Sequence, residues 1–340
     1  MTLPTTARVV RLVTEPGGLP GPGDFAVVEE PLPAPGTGEV VVRNRAFLVF
    51  PGLRTLIGGE LTGAPLPAIG PGDALYGPAL GEVLAAPAGG PLRPGDLVTH
   101  LRGWRDLVVA DAAGFTPVDP GFPDPVALLS PGTAGYGGLT RGAGVRPGDV
   151  VLVTGAAGAV GTLAGQVARL LGASRVIGTT GSPAKAKRLT AELGYDAVLV
   201  RGERPFAAQL AEAAPEGVDV LLDLVGGEQL TAAVDAARPG ARFALVGALS
   251  GQLAPERRGG SSPALVDSFR VIMLGLTLRG FTGVDHPDLE AEWRQRFGGW
   301  LRTGEIVFPS TRVAGIDQAP QALRRLFDGD TFGATIVDLA

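Results

Sequence analysis

A glycine-rich turn near the middle of this 340-residue chain has the residue types and spacing that bind a diphosphate. Thr154–Gly161 reads TGAAGAVG and directly follows the apolar run Asp149–Thr154, which has the pattern of a buried parallel strand. Small residues let a backbone approach a pyrophosphate, and the N–H groups of a first helical turn face an anion. Strand, turn and helix in this order predict a dinucleotide-binding site. The alternative is a tight turn whose small residues serve packing only.

The residues after the next expected strand indicate which dinucleotide would bind. A site specific for NAD usually carries Asp or Glu about 20 residues after the turn, where the carboxylate holds the ribose hydroxyls. Here Val176–Ser182 offers no carboxylate, whereas Lys185, Lys187 and Arg188 follow it and Arg201 comes after the third strand. A cationic pocket without an acid suits a 2′-phosphate and favours NADP(H). The alternative is a solvated helix face, which we accept for Lys187 and leave open for Arg188.

The chemistry that the chain lacks narrows the function further. It has no cysteine and two histidines, His100 and His286, which excludes a disulfide framework, a Cys/His zinc site and a thiol nucleophile. We expect both histidines to be structural or solvated. The net charge is −5, without the basic stripe of a nucleic-acid binder. Glycines interrupt Val150–Ala168, which argues against a membrane span, and Met1–Ala7 lacks a signal pattern, so we expect a cytoplasmic protein.

Strands alternate with helices around and after the glycine-rich turn. This alternation predicts right-handed βαβ units and a doubly wound parallel sheet, hence an α/β fold. The later strands are expected at Arg175–Thr180, Ala197–Val200, Asp219–Leu224, Arg242–Val246 and Thr277–Phe281. The helices are expected at Gly161–Leu171, Pro183–Leu193, Pro205–Ala214, Glu228–Ala237 and Leu289–Thr303, the last with Trp293 and Phe297 in the core.

The two ends of the chain have a different residue pattern from the alternating strands and helices in the middle. Short β-type runs separated by Gly-Pro and Pro-Gly turns fill the first 124 residues and predict an all-β domain, a small barrel. The last residues return to strands around one helix, Ala319–Phe327, so we expect both ends to share one domain. The predicted division is 1–124 and 307–340 for the β domain and 125–306 for the inserted dinucleotide-binding domain. The strands expected in the first part are Arg8–Val13, Phe25–Glu29, Glu39–Val49, Gly81–Ala86, Asp96–His100 and Asp106–Ala110.

The order of many short motifs resembles a known superfamily. SPGTA at Ser130–Ala134 is followed by GAAGAVG, GSPAK, ELGYDA, DLVGGEQL, LVGALSG, LRGF, WLRTGEI and GDTFGATIVDL. In these motifs the chain resembles the zinc-independent branch of the medium-chain dehydrogenases/reductases, most closely the prostaglandin reductase (leukotriene B4 dehydrogenase) group of alkenal/one reductases. The resemblance covers most of the chain and is looser in the N-terminal part.

The resemblance implies a Rossmann sheet inserted in a GroES-like β-barrel domain, with an active site in the cleft between the two domains. It also implies NADPH as hydride donor and reduction of a carbon–carbon double bond conjugated to a carbonyl. Thr133 is expected by the nicotinamide, Gly158 to Gly161 at the pyrophosphate and Lys185 at the 2′-phosphate. The full set expected to bind the cofactor is Thr133, Gly158, Ala159, Val160, Gly161, Ser182, Lys185, Arg201, Gly247, Ala248, Leu249, Phe281, Thr282 and Thr331.

The chain departs from the group at a few of these positions. Gln252 stands where the group commonly has a tyrosine that donates to the substrate carbonyl, and Arg201 replaces an aromatic neighbour of the phosphate. Leu224 and Thr331 stand where asparagine is common. We expect Arg201 to strengthen binding of the 2′-phosphate. The lost tyrosine leaves Gln252 as the candidate catalytic residue and leaves room for a changed substrate class.

The expected chemistry is hydride transfer to the β-carbon of an enone or enal, while negative charge builds on the carbonyl oxygen. A donor at that oxygen lowers the barrier, and the candidates are Gln252, a ribose hydroxyl or a backbone N–H from Phe47–Leu53. Two alternatives stay open: an NADPH-dependent quinone reductase, and an NADPH-binding protein with little turnover or altered chemistry. The expected partners are a small α,β-unsaturated carbonyl compound and a second copy of the chain, with no metal, nucleic acid or membrane.

Overall fold

The computed structural model describes residues 3–59, 66–254, 256 and 259–339. The chain divides into two compact units, of which one is Pro131–Pro309 and the other combines Met1–Ser130 with Ser310–Ala340. In these described ranges no helix combines the length and the apolar character needed to cross a bilayer.

Strands and helices follow one another along the described residues in an order that separates the two units. The strands are β1 (Thr6–Leu12), β2 (Phe25–Pro31), β3 (Glu39–Val49), β4 (Ala79–Ala85), β5 (Leu97–His100), β6 (Leu107–Asp111), β7 (Thr116–Pro117), β8 (Val150–Val153), β9 (Arg175–Thr180), β10 (Ala197–Val200), β11 (Val218–Asp223), β12 (Ala237–Leu245), β13 (Thr277–Gly280), β14 (Ser310–Ala314) and β15 (Ala334–Asp338). The helices are α1 (Leu53–Gly58), α2 (Gly132–Gly137), α3 (Gly161–Leu170), α4 (Pro183–Glu192), α5 (Phe206–Ala213), α6 (Gly227–Asp235), α7 (Leu249–Leu253), α8 (Ser268–Leu274), α9 (Leu289–Thr303) and α10 (Ala319–Phe327).

The unit Pro131–Pro309 contains the doubly wound sheet that the alternation predicted. Its six strands are parallel and lie in the order β10-β9-β8-β11-β12-β13. All four residues of β8 are buried because the strand has neighbours on both edges and layers on both faces. The chain winds outward from β8 to β10 and then returns to β11 on the other side. The carboxyl ends of β8 and β11 therefore flank the switch point where such sheets bind ligands.

The other unit is a β domain built from both ends of the chain. Its main sheet has the order β14-β15-β3-β4-β5-β7, with β6 also paired to β3, and β1 and β2 form a separate pair. The strand β15 runs antiparallel to β3, with Ile336 opposite Leu48. Val42, Val98 and Phe115 belong to its buried apolar core. The expected fold class, a Rossmann sheet inserted in a GroES-like domain, is confirmed.

His100 lies in the core of this β domain. Its Nδ1 accepts the Arg102 backbone N–H at 3.0 Å, so Nε2 carries the proton and donates to Asn44 Oδ1 at 2.8 Å. Burial, aided by the charges of Arg102 and Arg105, lowers the pKa of His100 to about 3. The imidazole is therefore neutral and hydrogen-bonded within the domain core.

Short helices are the main difference from the expected elements. The helices α1, α2, α7 and α8 were not expected from the residue pattern. The helix α2 reads GTAGYG and has no apolar period. It forms because its glycines allow neighbouring side chains to pack directly on its backbone. A Cβ on Gly132 would lie 2.3 Å from the Trp293 ring, and one on Gly137 would lie 2.5 Å from Phe281. The helix α8 is capped by the Asp267 side chain and ends at Gly275, whose φ is +57°.

Candidate dinucleotide-binding site

The turn between β8 and α3 needs glycine for two different reasons. Gly155 has a φ of +61°, a backbone conformation that favours glycine, and a Cβ on Gly161 would lie 2.5 Å from the Ala156 Cα, so the fold itself requires glycine at both positions. Gly158 differs, because it is exposed and a Cβ there would meet no atom of this unit closer than the Gly155 oxygen at 3.4 Å. The glycine at 158 leaves space for a group that approaches from solvent, as a pyrophosphate does.

Backbone donors point out of the same turn. Helix α3 begins at Gly161, and within the described part of this unit no hydrogen bond uses the N–H groups of Val160 and Gly161. The first N–H groups of a helix have no partner inside the helix and favour an anion. Ala159 and Val160 are half-buried beside them. The residues of the turn thus fit the diphosphate of a dinucleotide.

Hydrogen bonds from buried side chains hold this turn in place. The Thr154 hydroxyl donates to the Asp223 carboxylate at 2.7 Å, and it accepts the Leu224 N–H at 2.7 Å. Thr179 Oγ1 accepts the Gly155 N–H at 2.9 Å and donates to the Gln229 side-chain oxygen at 2.6 Å. Because these groups are buried and paired, the turn is rigid before any ligand binds.

Tyr195 supports the helix that carries the phosphate-binding N–H groups. Its hydroxyl donates to the Gly161 carbonyl oxygen at 2.7 Å, and complete burial raises the pKa of the phenol. A Cβ on Gly165 would lie 2.3 Å from its ring and one on Gly178 2.8–2.9 Å from Ala156 and the same ring. Tyr195 belongs to the motif ELGYDA, but its residue type alone does not indicate which glycines it contacts after folding.

The structure brings the expected 2′-phosphate residues to one corner at the end of β9. Ser182 caps α4, with its Oγ 3.4 Å from the Lys185 N–H, and Arg201 donates its backbone N–H to the Thr180 oxygen at 2.9 Å. The Arg201 guanidinium lies beside Gly181, 3.3 Å from where a Cβ would stand. The Arg201 guanidinium and the Ser182 hydroxyl therefore lie at the exposed turn after β9, and Lys185 is in the first turn of the helix that begins there.

The neighbouring cations of α4 take different positions. Lys187 is exposed on the outer face of the helix. Arg188 Nε donates to Glu192 Oε1 at 2.8 Å, an ion pair between residues one helical turn apart, and both side chains are about half exposed. Arg188 thus takes part in an ion pair along the helix face.

The segment after β12 reaches the same carboxyl edge of the sheet. The N–H of Gly247 donates to the Asp223 oxygen at 3.0 Å, and a Cβ on Gly247 would lie 2.6 Å from the Leu224 oxygen. Ala248 and Leu249 follow and begin α7. Gln252 lies in α7, half-buried, with its backbone N–H on the Ala248 oxygen at 3.1 Å.

A third group of expected cofactor residues gathers around α2. A Cβ on Gly135 would lie 2.9 Å from Val160, so α2 packs directly on the start of α3. Phe281 packs on Gly137 of the same helix and stacks on His286 at a ring distance of 5.3 Å. The Thr133 hydroxyl, one turn earlier, donates to a carboxylate oxygen of Glu290 at 2.6 Å. Nothing in the residue pattern singles out Glu290.

The remaining expected residues lie at the surface or in the other unit. Thr282 is exposed and its hydroxyl accepts the Val284 N–H at 3.4 Å, which caps a short 3-10 turn. Thr331 is half-buried and lies in the β domain, before β15. Across the described ranges no group of three or more His, Asp or Glu side chains is arranged to hold a metal ion.

Comparisons with known proteins agree with this architecture. A family model described as the N-terminal domain of oxidoreductases matches residues 8–118, and one described as zinc-binding dehydrogenase matches residues 159–297. The Bacillus subtilis protein YfmJ, named as an NADP-dependent oxidoreductase, is 30 % identical over 338 residues, 97 % of each chain. The NADPH-dependent curcumin reductase of Escherichia coli is 28 % identical over 335 residues, covering 97 % of this chain and 96 % of its own.

Two further likenesses extend along almost the whole chain. Prostaglandin reductase 1 of Mus musculus is 28 % identical over 332 residues, which cover 94 % of this chain and 95 % of that protein. The crystal structure of CurA from Vibrio vulnificus in complex with NADPH superposes with a TM-score of 0.88 at 27 % identity. That match covers 98 % of this chain and 99 % of the other.

Proposed function

Because the chain belongs to the medium-chain dehydrogenase/reductase superfamily, near its prostaglandin reductase group, we propose that it reduces carbon–carbon double bonds conjugated to a carbonyl. It is an NADP(H)-dependent oxidoreductase. The observation that carries the proposal is the likeness to the NADPH-dependent curcumin reductase, which spans 97 % of this chain. Curcumin contains conjugated enones, and the likeness includes both the dinucleotide-binding unit and the β domain.

The proposed cofactor position places the negatively charged phosphates of NADPH next to backbone N–H groups and cationic side chains. The turn from Gly158 to Gly161 would bind the diphosphate through backbone N–H groups, and Ser182, Lys185 and Arg201 would bind the 2′-phosphate. A charge-assisted hydrogen bond is about twice as strong as a neutral one, so two cations at an acid-free corner favour NADPH over NADH. The nicotinamide half would contact Thr133, Gly247–Leu249, Phe281, Thr282 and Thr331.

The substrate chemistry depends on a donor at the carbonyl oxygen. NADPH, when bound, supplies the hydride that the β-carbon receives. Gln252 is our candidate donor, because a side-chain amide N–H can stabilise the negative charge that develops on the oxygen. Water then protonates the α-carbon. We propose that the reaction needs no zinc. Zinc sites in proteins mostly use cysteine and histidine ligands, and this chain has no cysteine and only two histidines.

A substrate screen tests this function directly. Purified protein is mixed with NADPH and, separately, with 2-alkenals, cyclic enones, unsaturated thioesters and quinones, and cofactor oxidation is followed by absorbance. We expect turnover of alkenals or enones, with mass spectrometry showing a saturated product that retains its carbonyl, and no loss of rate after dialysis against a chelator. Turnover of quinones alone, or NADPH binding without turnover of any compound, contradicts the proposal.

We also propose that the protein is a cytoplasmic homodimer. On α8 the side chains of Phe269, Ile272 and Met273 are 66–73 % exposed, a large apolar area for a helix of seven residues. The neighbouring strand β13 is the last in the sheet order, so its outer edge offers backbone groups for pairing. A second copy related by a two-fold axis presents the same face. The β13 edge of each copy can then form backbone hydrogen bonds with the β13 edge of the other.

Light scattering on a sizing column tests the dimer. We expect twice the chain mass for the natural sequence and one chain mass for Ile272→Glu, because a charge at the centre of the face opposes its burial. Val13→Glu, a matched change at an exposed apolar residue of the β domain, should stay dimeric. A natural sequence that elutes at one chain mass overturns the proposal.

A further inference from the structure

We propose that Glu290 is a positioning residue: it fixes the Thr133 hydroxyl as a hydrogen-bond acceptor for the N–H₂ of the nicotinamide carboxamide. This inference rests on the proposed function, since it needs the nicotinamide at α2. Neither the motifs nor the glycine-rich turn assign any role to Glu290, which is the second residue of α9.

The direction of the hydrogen bond follows from the chemistry of the two groups. An ionised carboxylate only accepts, so the Thr133 hydroxyl at 2.6 Å from Glu290 Oε2 must donate its proton to it. The other oxygen, Oε1, accepts from Arg294 Nε at 2.8 Å, which holds the carboxylate in its orientation. Once its proton is committed, the hydroxyl presents only lone pairs, and the group it can receive is an N–H.

The packing around α2 makes this pair rigid relative to the phosphate-binding turn. Gly132 lies against the ring of Trp293, which belongs to the same helix as Glu290, is 2 % exposed and stacks on Phe297 at 4.5 Å. Gly135 of α2 lies against Val160 at the start of α3. The distance from the Thr133 hydroxyl to the diphosphate position is therefore set by close-packed contacts rather than by a flexible loop.

The functional consequence concerns the orientation of the carboxamide. This group has an N–H₂ donor on one side and a carbonyl acceptor on the other, so a hydroxyl that can only accept selects one of its two rotamers. A hydroxyl free to donate or accept would tolerate both. The competing interpretation is that Glu290 and Arg294 form an ordinary helix-surface ion pair, which contributes little to stability and nothing to ligand binding.

Equilibrium binding separates these interpretations without any substrate. Dissociation constants are measured by calorimetry for NADP⁺ and for its 3-acetylpyridine analogue, in which a methyl group replaces the N–H₂. We expect the natural sequence to prefer NADP⁺, and Thr133→Val to reduce that preference by about 3- to 10-fold, the size of one hydrogen bond. Glu290→Gln should reduce it by a similar factor, because a glutamine amide can donate to Thr133 and so releases the hydroxyl proton.

Two controls make the result decisive. The double variant Thr133→Val/Glu290→Gln should show no further loss beyond Thr133→Val, whereas Thr133→Ser, which keeps the hydroxyl, should keep the preference within about 2-fold. A preference unchanged in Glu290→Gln, or a loss that is equal for both ligands, overturns the role of Glu290. An unchanged preference in Thr133→Val overturns the contact itself. Failure of the natural sequence to bind NADP⁺ would instead overturn the cofactor site of the proposed function.

Discussion

Two segments meet at the carboxyl edge of the parallel sheet, and they are built in different ways. The turn after β8 is fixed by buried groups, with Thr154 on Asp223, Thr179 on Gln229 and Tyr195 on Gly161. The segment after β12 is a five-residue helix whose candidate donor, Gln252, is half-buried. The proposed cofactor-binding turn is thus embedded in the packing of the unit, whereas the candidate substrate-side residue lies in a short helix and is only half-buried.

The strongest test of this comparison is a pair of glycines within the first segment. Gly161→Ala places a Cβ 2.5 Å from backbone atoms that cannot move away, so we expect a loss of about 2–3 kcal/mol in the free energy of unfolding and no measurable NADPH binding. Gly158→Ala meets only an ordinary contact in its own unit. It should unfold like the natural sequence in urea yet bind NADPH at least 10-fold more weakly. Equal stability losses in both variants would contradict the separate reasons given for the two glycines.

The second test addresses the segment after β12. Gln252→Ala should lower kcat by about 100-fold with an accepted enone, as expected for loss of one donor to a developing oxyanion, while the dissociation constant for NADPH stays unchanged. Gln252→Asn is the matched variant, since it keeps the amide on a shorter side chain and should recover part of the rate. Should Gln252→Ala retain the natural kcat, another group stabilises the carbonyl oxygen.

The third test concerns selectivity between the two cofactors. Lys185→Ala combined with Arg201→Ala should weaken NADPH binding by about 10- to 100-fold and leave NADH binding within about 2-fold, because only NADPH carries the phosphate. Lys187→Ala, a change at an exposed lysine of the same helix, serves as control and should alter neither. An equal loss for both cofactors would remove the assignment of the 2′-phosphate corner.

The smallest effect is expected in the β domain and depends on pH. The pKa of His100 is about 3 in the fold against an ordinary 6.5, so below pH 6.5 the unfolded chain binds a proton that the folded chain does not. The free energy of unfolding should therefore fall by about 1 kcal/mol per pH unit from pH 6.5 to 5. Urea titrations of His100→Gln should lack this component of the slope. Identical slopes in both proteins would contradict a neutral, buried imidazole.

Long periodic elements were the part of the fold that could be predicted from sequence. The strand β9 and the helices α9 and α10 have the expected bounds, because a run of apolar residues or a helical period sets each of them. The strand β12 begins at Ala237 rather than Arg242, since an irregular pairing with β11 extends it. The helix α2 was not predicted because tertiary contacts of its glycines form it. The helix α8 was not predicted because its apolar residues, mainly the run Val271–Leu274, show no helical period.

The candidate site divides in the same way. The glycine-rich turn and the cationic positions Lys185 and Arg201 could be singled out from the sequence because residue types alone limit what the backbone or an anion tolerates. Tyr195 and Glu290 could not be identified from the sequence, since their roles depend on which glycine or hydroxyl lies opposite them after folding. The assignment of Gln252 depends on its position after β12 and stays a proposal.

The pairing of β15 with β3 has a consequence for synthesis of the protein on the ribosome. A chain made from its amino end completes the parallel-sheet unit, which ends at Pro309, before β14 and β15 exist. Until they emerge, β3 has an open edge, the kind of surface that chaperones cover and that aggregates recruit. The β domain can therefore pair β15 with β3 only after the whole of the inserted unit has been synthesised.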